Sequence, residues 1–302
     1  MRVRRRGATL VELLVALGVT AVLSAATFRL LDRTRRFAEG SALVADAHAQ
    51  RLGAHGVLRT ALEELSPLEG DLVTAFDSSV TFLGIVGVGV ACALGSGTAD
   101  FPPTTLASGS VLASWRATPQ AGDVVALLDE GTLAGAGDDR WVAAQVTSAI
   151  PLTGSCVGTP FVDSIADAGR SGWRLSFGSA LAPTVRAGTI ARILRRQRFA
   201  LYRSGAEWAL GWAEWNAPAA SWHPIQPLAG PLTGYAPSGT GGLSLQWHDS
   251  LGALLPPGAL PTAAGVDVTV RAPTSAAVRM DGVTRGVRID SARTHFPFRN
   301  RR

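Results

Sequence analysis

The sequence predicts an α+β protein in which one long N-terminal helix carries a β-rich globular head, and three observations predict it. Four arginines at the N-terminus are followed by an aliphatic run. Apolar residues then recur at helical spacing as far as Pro67. Beyond Pro67 the apolar runs become short, alternate with polar residues, and are broken by Gly, Pro, Ser and Asp, which is strand texture.

The first element is the basic stretch 1–7, with Arg2, Arg4, Arg5 and Arg6 and a terminal Gly7. The second is apolar. Leu13 to Phe28 carries no charge, and together with Ala8 to Glu12 it reaches the ~20 residues that a bilayer core requires. Arg29 closes it. Inside stands one carboxylate, Glu12. Such a group costs a few kcal/mol on insertion scales, so it is retained where it finds a partner. Ser24-Ala25-Ala26 also has the small-x-small pattern of a signal-peptidase site, so a secreted or anchored β-rich binding protein or enzyme, cut after Ala26, is the alternative. Neither a secretory segment nor a plain anchor has a use for Glu12.

Gly7, Thr9, Leu10, Val11, Glu12, Leu13, Leu14, Val15, Ala16 and Leu17 together resemble the N-terminal signature of type IV pilins and type II secretion pseudopilins. That signature is a short basic leader ending in Gly, then Phe-Thr-Leu-[Ile/Val]-Glu and an aliphatic helix. Ala8 departs from it, because the family has Phe or Met there. The resemblance covers residues 1–36.

It implies a pilin-like fold in three parts: a leader over 1–7, a hydrophobic then amphipathic helix over 8–66 with its membrane part at about 8–31, and a head over 67–302. It also implies cleavage between Gly7 and Ala8 by a prepilin peptidase and N-methylation of Ala8. The retained helix would be a single pass in the inner membrane with the head in the periplasm, then the core of a pilus or pseudopilus fibre that can reach the cell surface. Glu12 would pair with the freed amine of Ala8 on a neighbouring subunit. Other pilin or pseudopilin subunits and an inner-membrane assembly platform are the implied partners.

After Arg29, helical spacing continues through Ala42-Leu43, Ala47, Leu52, Val57-Leu58, Ala61-Leu62 and Leu65 until Pro67. Gly40, Gly53 and Gly56 weaken that stretch and predict a kink or a looser middle. Continuous from Leu10 to Ser66, the helix would be about 85 Å long at ~1.5 Å per residue.

The head offers strands at Val80–Ala91, Asp123–Leu128, Trp141–Ile150, Trp173–Phe177, Thr189–Tyr202, Glu207–Trp212, Leu243–Trp247 and Val266–Arg271. In the last, Val266, Val268 and Val270 point one way and Asp267 and Thr269 the other. Arg198–Arg203 and Glu207–Trp212 form a hairpin around Ser204-Gly205. Gly95–Pro103, Gly131–Asp139 and Pro227–Gly242 are predicted as long loops, where recognition would sit. The order of features in the head resembles the PilW or J-type minor pilins, which implies a place at or near the fibre tip.

Composition removes several enzyme classes. Every one of the 28 basic residues is arginine, so a P-loop lysine, a Schiff-base lysine and a lysine general base are absent. No GxSxG, GxGxxG or HExxH occurs. His48 and His55 share a helix face and are expected to be solvated, while His223, His248 and His295 lie in separate segments. Asp138-Asp139 lacks EF-hand spacing and is taken as a turn. Neither metal, cofactor, small-molecule substrate nor catalytic residue is expected.

Removing Arg2, Arg4, Arg5 and Arg6 with the leader leaves the remaining arginines nearly balanced by the 23 acids. A general nucleic-acid footprint then loses its support. Local clusters remain at Arg192, Arg195, Arg196, Arg198 and Arg203 and at Arg299, Arg301 and Arg302. DNA or a surface ligand is a partner the first of these invites, with Phe199 and Tyr202 interleaved. Alternation splits it, however, placing Arg192, Arg196, Arg198 and Tyr202 on one face and Arg195 and Arg203 on the other. Charge that protects an edge strand is the plainer expectation. Cys92 and Cys156, the only cysteines, permit one disulfide in an exported chain or stand as two buried thiols.

Overall fold

A computed structural model describes residues 9–132, 137–237, 239–256, 259–279 and 285–298. Gly7, Ala8, Arg299, Arg301 and Arg302 lie outside the described residues. A single helix, α1, runs over Leu10–Leu62. It ends four residues before the predicted stop at Ser66, and Pro67 instead opens a 3-10 turn, Pro67–Glu69. Gly70, at φ 87°, ends that turn in the left-handed conformation that glycine adopts without strain.

The predicted looser middle is not found, since helical structure runs unbroken through Gly40, Gly53 and Gly56. Packing outweighs the low propensity of glycine here. Ala47, Ala54, Leu58 and Leu62 are all buried against the head. Gly40 lies near Val278, at a distance where even a Cβ would make only ordinary van der Waals contact.

Fifteen strands are described. They are β1 Leu72–Ala75, β2 Ser79–Ala91, β3 Ala93–Gly95, β4 Thr98–Phe101, β5 Ala113–Trp115, β6 Val124–Asp129, β7 Arg140–Thr153, β8 Ser171–Phe177, β9 Thr189–Ser204, β10 Glu207–Asn216, β11 Ser221–Trp222, β12 Gln226–Leu232, β13 Leu243–His248, β14 Gly265–Pro273 and β15 Ile289–Pro297. The first twelve form one sheet with the order β1-β2-β9-β6-β7-β8-β4-β3, to which β5 adds beside β2, β10 beside β9, and β11 and β12 beside β10. The last three form a small antiparallel sheet, β13-β14-β15. All eight predicted strands are present, and the hairpin closes with Ser204 opposite Glu207.

Three expectations need correction. Gly95–Pro103 contains β4, which pairs with β8, and Pro227–Gly242 contains β12, which pairs with β10. Both segments carry turn-type residues, yet neighbouring strands supply the hydrogen bonds that hold them extended. The third concerns β9. It is no edge: β2 lies along one side from Ser79↔Ala200 to Ala91↔Thr189, and β6 and β10 cover the other. Its arginines therefore do not protect an open edge.

Two cores result. Leu58 and Leu62 of α1 meet Val80, Phe82, Phe199 and Leu210 of the large sheet and Val266, Val268, Val270 and Phe296 of the small one. The helix thus seals the junction of the two sheets. A second core, with Phe101, Val125, Leu127, Leu175 and Ile193, fills the far half of the large sheet. The alternation of β14 is as predicted, with Val266, Val268 and Val270 fully buried and Asp267 and Thr269 less so.

Candidate assembly site

Thr9 caps α1 in an extended conformation, at φ -77° and ψ 153°. The backbone N–H of Glu12 donates to Thr9 Oγ1 at 3.3 Å, and Glu12 Oε2 accepts from the Thr9 backbone N–H at 3.0 Å. This reciprocal pair is a capping box, Thr-x-x-Glu, that satisfies two donors a helix start leaves open. Thr9 Oγ1 also lies 3.3 Å from Oε2. Among the described residues, Glu12 Oε1 accepts no hydrogen bond. Within one chain, then, the carboxylate serves its own helix while the Glu12 side chain stays exposed.

Among the described residues, none of the apolar half that follows is buried. Leu10, Leu14, Leu17, Val22 and Phe28 are between 61% and 75% exposed, and the segment is long and apolar enough to cross a membrane. Its hydroxyls need no outside partner, because Thr20, Thr27 and Thr34 donate to the carbonyls of Ala16, Leu23 and Leu30. A charged band ends it. Arg36 pairs with Asp32 at 2.7 Å and Arg35 with Glu39 at 2.8 Å, each one helical turn apart.

The second half is locked to the head by polar as well as apolar contacts. Arg51 Nε donates to Asp290 at 2.6 Å, and His48 Nδ1 lies 3.0 Å from the same oxygen. The Arg51 guanidinium holds the Asp290 carboxyl below the usual carboxylate range. His55 is buried, edge-on to Phe296, with Nε2 3.3 Å from the Ala292 carbonyl. Burial pushes its pKa down. The expectation of two solvated histidines is therefore corrected for His55 alone: His48 stays on the exposed surface, its side chain 53% accessible beside Asp290 of β15, whereas His55 packs beneath that strand. Gln50 Oε1 adds a contact by accepting from the Gly230 N–H.

The structure also brings together residues that sequence left apart. On the outer face of the small sheet, His295 Nδ1 lies 2.8 Å from Asp267 Oδ1 and His248 Nε2 3.1 Å from Asp267 Oδ2. Burial opposes the charge on Asp267, but hydrogen bonds from Arg293 and His295 outweigh it and hold the carboxyl below its usual range. His223 sits elsewhere. Asp138 Oδ2 accepts from the Thr132 N–H within its own turn. Among the described residues no group of three or more side chains is placed to hold a metal ion.

Cys92 and Cys156 are joined as a disulfide, with Cα atoms 5.7 Å apart. Their small apolar cluster includes Leu106 and Val162. Arg195, one of the five clustered arginines, is buried: its guanidinium forks onto Asp123 at 2.8 and 3.0 Å and reaches the Thr118 carbonyl at 2.7 Å. It belongs to the scaffold.

Residues 2–28 match the prokaryotic N-terminal methylation motif, the type IV pilin and pseudopilin signature, and so include Gly7, Ala8 and Glu12. No curated protein and no solved structure matches the chain.

Proposed function

We propose that this chain is a minor pilin or pseudopilin subunit, a non-enzymatic component of a type IV pilus or a type II secretion pseudopilus that acts in assembly or priming at or near the fibre tip. A prepilin peptidase cuts between Gly7 and Ala8, and Ala8 is methylated. The helix then spans the inner membrane with the head in the periplasm, and an assembly platform passes the subunit into a fibre.

One observation carries the reading. The methylation motif opens an unbroken helix whose first half is left exposed by the described residues and whose second half is locked to a β-rich head. A bare apolar half fits lipid first and neighbouring helices later. Glu12 fits the same sequence of events. In the capping box Oε2 is used and the exposed Glu12 side chain is held in place, so the amine of Ala8 on the next subunit meets a carboxylate already positioned.

Glutamine tests this cleanly, because Glu and Gln both complete a capping box but only Glu carries charge. Glu12→Gln is expected to be processed and membrane-inserted like the wild type, yet to be missing from sheared fibres. Incorporation at the wild-type level would rule out the charge pairing.

A further inference from the structure

Arg192, Arg196 and Arg198 project from the face of β9 turned away from α1, on a strand covered on both sides. Each is backed by tryptophan. The Arg192 guanidinium lies 3.9 Å from the Trp141 ring, Arg198 lies 4.7 Å from Trp222, and Arg196 lies 5.3 and 5.6 Å from Trp215 and Trp222. These distances are within cation–π range.

Arg192 also meets Glu69 at 3.4 Å. Among the described residues, Arg196 and Arg198 have no carboxylate within ion-pair distance, and the Nε–H of each is shut off from solvent without an acceptor. Two like charges, two residues apart on one strand face, repel each other, and a shielded donor without an acceptor costs free energy. Arg195, next to them, shows what a scaffold arginine of β9 looks like: it is forked onto Asp123.

We propose that this face docks an extended acidic segment of a partner protein, with carboxylates at alternate positions, one for Arg196 and one for Arg198. Alternate residues of an extended segment lie about 6.5–7 Å apart, the spacing of the two arginines themselves. The tryptophans hold the guanidinia in place beforehand, which reduces the ordering cost of binding. Arginine and tryptophan together are also what interface hot spots are made of.

A protein segment fits better than a nucleic acid. Trp222 is already contacted by both guanidinia and by Trp215, whose ring centroid is 5.3 Å away, so the ring is a poor platform for a base. The inference does not depend on how the N-terminus is processed.

The test uses the full chain in detergent micelles and three fluorescent probes: a twelve-residue peptide alternating Glu and Thr, its Gln counterpart, and a twelve-nucleotide oligothymidylate. Saturable anisotropy is expected with the Glu peptide and none with the Gln peptide. Arg196→Gln/Arg198→Gln should weaken binding at least about tenfold, since charge-assisted pairs are lost. Arg203→Gln, on the other face of β9, should leave it unchanged. If the double glutamine variant does not fold, Arg196→Lys/Arg198→Lys serves instead, keeping charge while losing the planar fork, and it too should bind more weakly. Failure of the Glu peptide to bind, wild-type binding by either double variant, or tighter binding of the oligothymidylate would overturn the proposal.

Discussion

Asp123 is 1% exposed and is answered by the Arg195 fork at 2.8 and 3.0 Å. Removing one partner of such a pair strands the other, so Arg195→Met should destabilise the head by about 3–5 kcal/mol in urea unfolding. Asp123→Asn added to it should recover part of the loss. Asp71 is the contrary case. Burial first, and then the nearby Glu69, push its carboxyl up to about 6, against the weaker pull of Arg192 and the Ser66 N–H. Because the folded pKa lies above the unfolded one, the folded state favours the protonated acid. Stability from this group is full below about pH 4 and falls as pH rises through about 6. Asp71→Asn should therefore raise stability at pH 7, by up to about 3 kcal/mol, and flatten the pH profile between 4 and 6. At this scale Glu12 was legible because a carboxylate in an apolar run is conspicuous in one dimension. The His248, Asp267 and His295 cluster was not, because its members meet only through the register of three strands.

Among the elements, alternation made β14 visible, since one of its faces is dry and the other is not, while β2 and β9 were visible as long runs rich in apolar and β-branched residues. β12 and β4 were hidden. Their sequences, Gln-Pro-Leu-Ala-Gly-Pro-Leu and Thr-Ala-Asp-Phe, carry turn residues or are short, and only pairing with β10 and β8 makes them strands. β15 was missed for another reason: its burial is slight, so its outward Arg293 and His295 dilute the apolar signal. The helix boundary depended on packing as well. Leu58 is fully buried between the sheets, and Leu58→Ala should cost about 2–5 kcal/mol and speed amide exchange along residues 54–62. The disulfide ties the β2 end to the loop after β7 across a sequence separation of 64 residues. Replacing Cys92 and Cys156 together by Ala should lower unfolding free energy by about 2–4 kcal/mol, and reductant should then have no further effect.

Taken as a whole, the molecule is organised around one rod with two environments. Its lower half is a structural part of the head, sealing the gap between a twelve-stranded and a three-stranded sheet. Its upper half is bare, carries its own capping box, and satisfies its own hydroxyls. A cut after Ala26 would sever this rod within continuous helix, whereas a cut after Gly7 leaves every residue of it in place. Retention of the complete helix is what the proposed assembly role requires, and the mass of the mature N-terminus tests it most directly. Chain recovered from membranes is expected to begin at N-methylated Ala8 with Glu12 as its fifth residue. A mature chain beginning at Thr27 would contradict it.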